Sequence, residues 1–237
     1  MKYKHDYGLS SSHELYDPML VKTNPCKGCN VAITQAMLYD EVDCFKTCRK
    51  YKTYRVVLLH LGCGNIRIPG YVNIDIRETG AVDLVMDIAN LNYPDNSIGM
   101  IYACSCLEHF SYRLVSDVLR EWHRVMKPAG ELVLVVPDFD KLVKIYLHHF
   151  TWNIFKTRLH ARVLNDAFQG DFMGGQDYPE NTHKTLFNYQ YLKSLLLDVG
   201  FYDVKRVRNG YITTKDSSRH YGVMTVSCFK GDRCLTQ

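Results

Sequence analysis

LLHLGCGNIRIPGYVNIDI, residues 58–76, closes one apolar run with a glycine pair, Gly62 and Gly64, and a second with an aspartate, Asp75. VVLLHL (56–61) and YVNIDI (71–76) read as two buried strands of one sheet, since near-continuous apolar runs suit strands covered on both faces. Glycines where a first strand ends lie at the carboxyl edge, where open α/β sheets bind ligands and where the backbone must approach them closely. Asp75 then ends the neighbouring strand, placed to accept hydrogen bonds from ribose hydroxyls. Only ten residues lie between Gly64 and Asp75, and Pro69-Gly70 interrupts them, so no full helix fits. A dinucleotide site needs a third glycine, a helix N-terminus facing the pyrophosphate and an acidic residue about 20 positions on. A pyrophosphate here would lack its dipole. A nucleoside without phosphates needs no such dipole, and S-adenosylmethionine is such a ligand.

Further strands read at AVDLVM (81–86), IGMIYACS (98–105), ELVLVVP (131–137), DVKRVR (203–208) and GVMTVSCF (222–229). Helical periodicity marks 112–126, stopped by KPAG, and 189–200, ended by Gly200. Strands alternating with helices predict a doubly wound α/β domain with a seven-stranded, mostly parallel sheet. At 237 residues the chain has room for one such domain, expected over 53–237, and an N-terminal accessory segment over 1–52. No apolar run is long enough to span a bilayer and the start has no signal-peptide core, which points to a cytoplasmic protein. The net charge of +4 is mild, and the basic patches at 46–55 and 205–208 read as solvated surface rather than a nucleic-acid footprint. Of nine cysteines, five lie in or beside the core strands and read as buried thiols.

The third strand ends in Asp87-Ile88, an acceptor for an adenine amine beside an apolar contact, although Asp87 equally suits the cap of a short turn. The fourth strand ends in ACSCLEHF. LHLGCGN, PGYVNIDI, MDI, SCLEHF and HRVMKPAGELVLVVPD together resemble the class I S-adenosylmethionine-dependent methyltransferases, over roughly residues 55–229. The likeness is to a branch whose first helix is reduced to a loop, often linked to cell-surface saccharide metabolism. The resemblance implies that Gly62 and Gly64 contact the methionine part, Asp75 the ribose, Asp87 and Ile88 the adenine, and Cys104 the ligand's flank. Cys104-Ser105-Cys106 departs from it, because similar sequences carry Ser-His and an apolar residue there. The expected acceptor is a hydroxyl or carboxyl of a saccharide or other small molecule.

Methyl transfer needs in-line positioning, with a base when the acceptor is a hydroxyl. His109 after the fourth strand, Asp138 after the fifth and His183 before the last helix are the candidates, and each could equally be structural. The aromatic segment 139–182 is expected as a cap over the substrate. Cys26, Cys29, Cys44 and Cys48, as C-x2-C and C-x3-C, fit a structural zinc site as well as free or redox-active thiols, with an iron–sulfur cluster as a lesser alternative. A catalytically silent binding module is the alternative from another class. The missing phosphate helix disfavours a nucleotide-sugar dehydrogenase or epimerase.

Overall fold

The computed structural model describes residues 56–152, 169–213, 215, 216, 218 and 220–231. The cysteine pairs Cys26/Cys29 and Cys44/Cys48, and the basic patch at 46–55, lie outside the described residues. Seven strands form one sheet: β1 (Val57–Leu61), β2 (Val72–Asp75), β3 (Leu84–Val85), β4 (Ile98–Cys104), β5 (Met126–Pro137), β6 (Phe201–Val207) and β7 (Val223–Lys230). Their order is β3-β2-β1-β4-β5-β7-β6. The first five run parallel, while β7 lies antiparallel to both β5 and β6. The short connection from β6 to β7 contains no crossover helix among its described residues, so the two strands pair antiparallel.

Helix α1 (Val115–Val125) turns Val115, Val118, Leu119, Trp122 and Val125 into one face of the sheet. Helix α3 (Tyr189–Val199) joins it through Leu192 and Leu196. Its start is fixed by Asn188, whose side chain accepts from Tyr191 N, and its end by Gly200 at a φ of +108°. The opposite face buries Met100, Tyr102, Cys104, Val133 and Val135 under Ile68, Tyr71, Tyr211 and Ile212. Helix α2 (Phe139–Trp152) follows β5 directly, with Phe139 edge-on to Phe172, centroids 5.9 Å apart.

Three boundaries differ from the sequence reading. The third strand is two residues long rather than six, because Asp83 turns its carboxylate onto Asn73 N and Nδ2 and its backbone N–H onto Asn73 O. The helix begins at Val115, not at 112, which leaves Leu114 52% exposed outside the core. The fifth strand begins at Met126, with Ala129 at a φ of +59° and a register shift against β4.

No helix forms between β1 and β2. Asn73, fully buried, holds that loop instead. Its Oδ1 accepts from Ile68 N at 2.8 Å and meets His60 Nδ1 at 3.0 Å, and its Nδ2 donates to Ile68 O and Tyr71 O. A buried amide with its bonding capacity used can order a loop that has no repeating hydrogen bonds of its own.

Candidate active site

The carboxyl ends of β1, β2 and β4 meet at the glycine turn. Gly62 and Gly64 have φ of +65° and +54°, which favours glycine at both. They are used differently. A Cβ on Gly62 would collide with Cys106 Cβ, so this glycine lets the turn pack on the chain leaving β4; a Cβ on Gly64 would meet nothing within 4 Å. The open side of Gly64 is where a ligand can reach the backbone.

Asp75 ties the turn to β2. Its Oδ2 accepts from Gly64 N at 2.8 Å and its Oδ1 from Arg77 N at 2.9 Å, while Thr79 Oγ1 donates to Gly64 O at 2.6 Å. Each carboxylate oxygen keeps a lone pair for a further donor. This donor and acceptor set fits a nucleoside with a free diol. At the end of β3, Asp87 is exposed and its Oδ1 accepts from Ala89 N at 2.9 Å, which is the capping role allowed for in the sequence reading. Ile88 is 8% exposed within the main core, and its carbonyl accepts from Trp122 Nε1 at 2.7 Å.

Past β4 the chain kinks at Ser105, φ +51°, while Ser105 N still donates to Val135 O at 2.9 Å. Cys104 and Cys106 are buried on either side, and a 3-10 turn, Leu107–His109, follows. Burial pushes the thiols of Cys106 and Cys228 well up, and that of Cys63 up to about 11, so these cysteines are inert packing groups.

His109 and His183 come together although 74 positions separate them. Their rings lie edge to face, centroids 5.0 Å apart. The 174–183 loop makes this contact. Gly174, φ +77°, packs against Asn181 O with no room for a side chain, and His183 N donates to Met173 O at 3.0 Å. Lys184 N and Thr185 N then donate to Glu108 O at 2.8 and 3.1 Å. His109 has Thr182 O and Ser105 O each 3.2 Å from a ring nitrogen. The loop also reaches the side of Asp75: the Arg77 guanidinium sits 4.0 Å over the Tyr178 ring and 3.6 Å from Asp75.

Glu108, Arg77 and Tyr178 are site residues that the sequence reading passed over. Glu108 carried one signal, an acidic residue in an otherwise apolar stretch leaving a buried strand. Burial pushes its carboxyl up to about 8. Burial, and then the neighbouring His109, holds His183 down to about 4; burial also lowers His109 despite the two facing carbonyls. The cluster is thus close to neutral as it stands. Glu108, His109 and His183 each offer a ligand atom within 4.8 Å of the others.

Asp138 follows β5 and bridges to Phe187, four residues past His183. It heads α2, accepting from Lys141 N at 3.4 Å, and its other oxygen pairs with Arg206 at 2.9 Å. Lys205 in the same basic patch pairs with Asp203. No helix among the described residues is long and apolar enough to cross a membrane.

Residues 59–134 match the family described as a methyltransferase domain. No curated protein matches the sequence. Among solved structures, a SAM-dependent methyltransferase from Archaeoglobus fulgidus is similar over 74% of this chain and 86% of its own, at 15% identity and a TM-score of 0.47. The 1,6-didemethyltoxoflavin-N1-methyltransferase of Burkholderia thailandensis is similar over 74% and 71%, at 15% identity and 0.47. Human N-acetylserotonin methyltransferase is similar over 74% and 48%, at 14% identity and 0.41. At these identities none of the three carries its acceptor over to this chain.

Proposed function

Because residues 59–134 match a methyltransferase domain family, we propose that the chain is an S-adenosylmethionine-dependent methyltransferase acting on an oxygen of a small-molecule or saccharide acceptor. The single observation that carries the cofactor half is the open Gly64 turn, its amide held by Asp75 at the edge of the adjacent parallel strand. When bound, the cofactor supplies an electrophilic methyl group on sulfur. Gly62 and Gly64 take its amino-acid part, Asp75 the ribose hydroxyls, Asp87 and Ile88 the adenine edge, and Cys104 flanks it. Cys106 packs against Gly62 and stands two residues before Glu108, so the His109–His183 pair lies beside the same turn. We assign that pair to the acceptor. It orients the hydroxyl and relieves it of its proton as the oxygen bonds to the methyl carbon and the carbon–sulfur pair returns to sulfur. Asp138, held by Arg206, has no part in this step. The 139–182 segment would cap the acceptor, and Cys26, Cys29, Cys44 and Cys48 would hold a structural zinc; a parent protein without zinc or iron would end that last reading.

The test is transfer of labelled methyl from adenosylmethionine to panels of small molecules and saccharides, after mass spectrometry of the purified protein for bound cofactor. Once an acceptor is found, His109→Ala or His183→Ala should slow transfer by roughly 10²–10⁴-fold with cofactor affinity little changed. Cofactor binding without transfer to any acceptor would favour the silent binding module.

A further inference from the structure

Glu108 is costly where it stands. It is 1% exposed, yet neither carboxylate oxygen accepts a hydrogen bond of normal geometry from any described residue. A leucine would pack in such a place without leaving two polar atoms unpaired. Two histidines stand beside it. His183 Nε2 lies 3.9 Å from Glu108 Oε1, and His183 Nδ1 is buried without a hydrogen bond of normal geometry among the described residues, with the backbone of Asp171 and Phe172 near the ring. Ligands bonded to one cation at ~2.1 Å stand about 3–3.5 Å apart, so the 4.8 Å span of the three side chains closes by small rotations.

We propose that Glu108, His109 and His183 bind one divalent cation of the Mn²⁺, Fe²⁺, Co²⁺ or Zn²⁺ kind, whose open coordination positions receive an oxygen of the methyl acceptor. Two imidazoles and a carboxylate suit these ions better than Mg²⁺ or Ca²⁺, and three protein ligands leave positions for substrate. His109 meets a further demand of a metal site. Whichever ring nitrogen turns to the cation, the other has a backbone carbonyl at 3.2 Å to receive its N–H and fix the ring. The bonds from Lys184 N and Thr185 N to Glu108 O pin the loop carrying His183 to the turn carrying the other two ligands.

The acceptor half of this inference rests on the methyltransferase reading; the cation half does not. With the cation bound both imidazoles are its ligands, so the base role given to them above passes to solvent water, which takes the proton of an acceptor hydroxyl on the cation. The acceptor oxygen then bonds to the methyl carbon as the carbon–sulfur bond breaks, with the electron pair staying on sulfur.

The experiment uses the full chain, stripped by chelator and titrated with Mn²⁺ alone, followed by electron paramagnetic resonance. Mn²⁺ is chosen because it has little preference for thiolates, which keeps the N-terminal cysteines out of the measurement. The parent should bind about one ion per chain, and Glu108→Gln and His183→Ala should each weaken it at least ~10-fold. Mn²⁺ should raise the melting temperature of the parent and not of the variants. A parent that binds no Mn²⁺, or variants that bind it as the parent does, would overturn the proposal. Should Glu108→Gln fail to fold, His183→Ala, on a surface loop, decides alone. Adenosylmethionine is titrated separately by calorimetry. Cofactor binding without Mn²⁺ binding sinks only the cation site, and Mn²⁺ binding without cofactor binding sinks only the methyltransferase reading.

Discussion

Gly62→Ala and Gly64→Ala put the same methyl group on two turns of similar backbone, with φ of +65° and +54°. Both incur the left-handed penalty of ~1–2 kcal/mol. Only Gly62→Ala adds a collision: its Cβ would overlap Cys106 Cβ and lie 3.1 Å from Sγ, while Gly64 has open space to 4 Å. Overpacking of that kind adds ~1–3 kcal/mol. Gly62→Ala should therefore lose about 2–5 kcal/mol and Gly64→Ala about 1–2, read by urea unfolding at constant m. Adenosylmethionine affinity should reverse the contrast, because the proposed function gives the space beside Gly64 to the cofactor. Gly64→Ala should bind at least ~10-fold more weakly by calorimetry while remaining folded, a loss of ~1.4 kcal/mol. Cys106→Gly removes the colliding atom, so Gly62→Ala/Cys106→Gly should be ~1–3 kcal/mol more stable than the summed single losses. Equal destabilisation by the two alanines, or no coupling to Cys106, would refute the packing argument. Unchanged affinity in Gly64→Ala would refute the assignment of its open side.

Asp75→Ala removes the acceptor for Gly64 N and Arg77 N; calorimetry should find adenosylmethionine affinity lower by ~1.5–3 kcal/mol, with a lower melting temperature for the ligand-free protein. Trp122→Phe deletes the donor to Ile88 O and leaves a buried carbonyl unpaired, so unfolding should report a loss of about 1–3 kcal/mol; no loss would mean that water replaces the indole. Glu131 is buried, with Ser227 and Tyr211 donating to one oxygen, and burial raises its pKa. The native state therefore holds this proton at pH values where the unfolded chain has released it, so stability falls as pH rises above the ordinary glutamate range. Urea unfolding should find Glu131→Gln gaining on the parent from pH 4 to pH 8; a pH-independent difference would contradict the raised pKa.

The local features were legible because their causes are local. A glycine pair at a strand end, Asp75 eleven positions past the second glycine and Pro69-Gly70 between them leave no length for a helix, and none forms there. Apolar runs gave the strands, and Asn188 and Gly200 carry the end signals of α3. Periodicity could not fix how far a strand runs once a side chain competes for its partner's backbone, as Asp83 does at Asn73. It could not show the partner of Asp138 either, since the arginine that pairs with it stands 68 positions away.

What tertiary structure alone decided was which distant groups share a site. Sheet order brings the ends of β1, β2 and β4 to one edge, and the 174–183 loop lays Tyr178 over Arg77 and His183 beside Glu108 and His109. Nothing in SCLEHF marks its glutamate as buried with no hydrogen bond of normal geometry to its carboxylate among the described residues. A residue's local pattern records the face it occupies, whereas its partners are set by chain crossings that sequence neighbours do not encode. The sequence determined the glycine turn and its carboxylate; the fold determined that two histidines and a buried glutamate stand next to them.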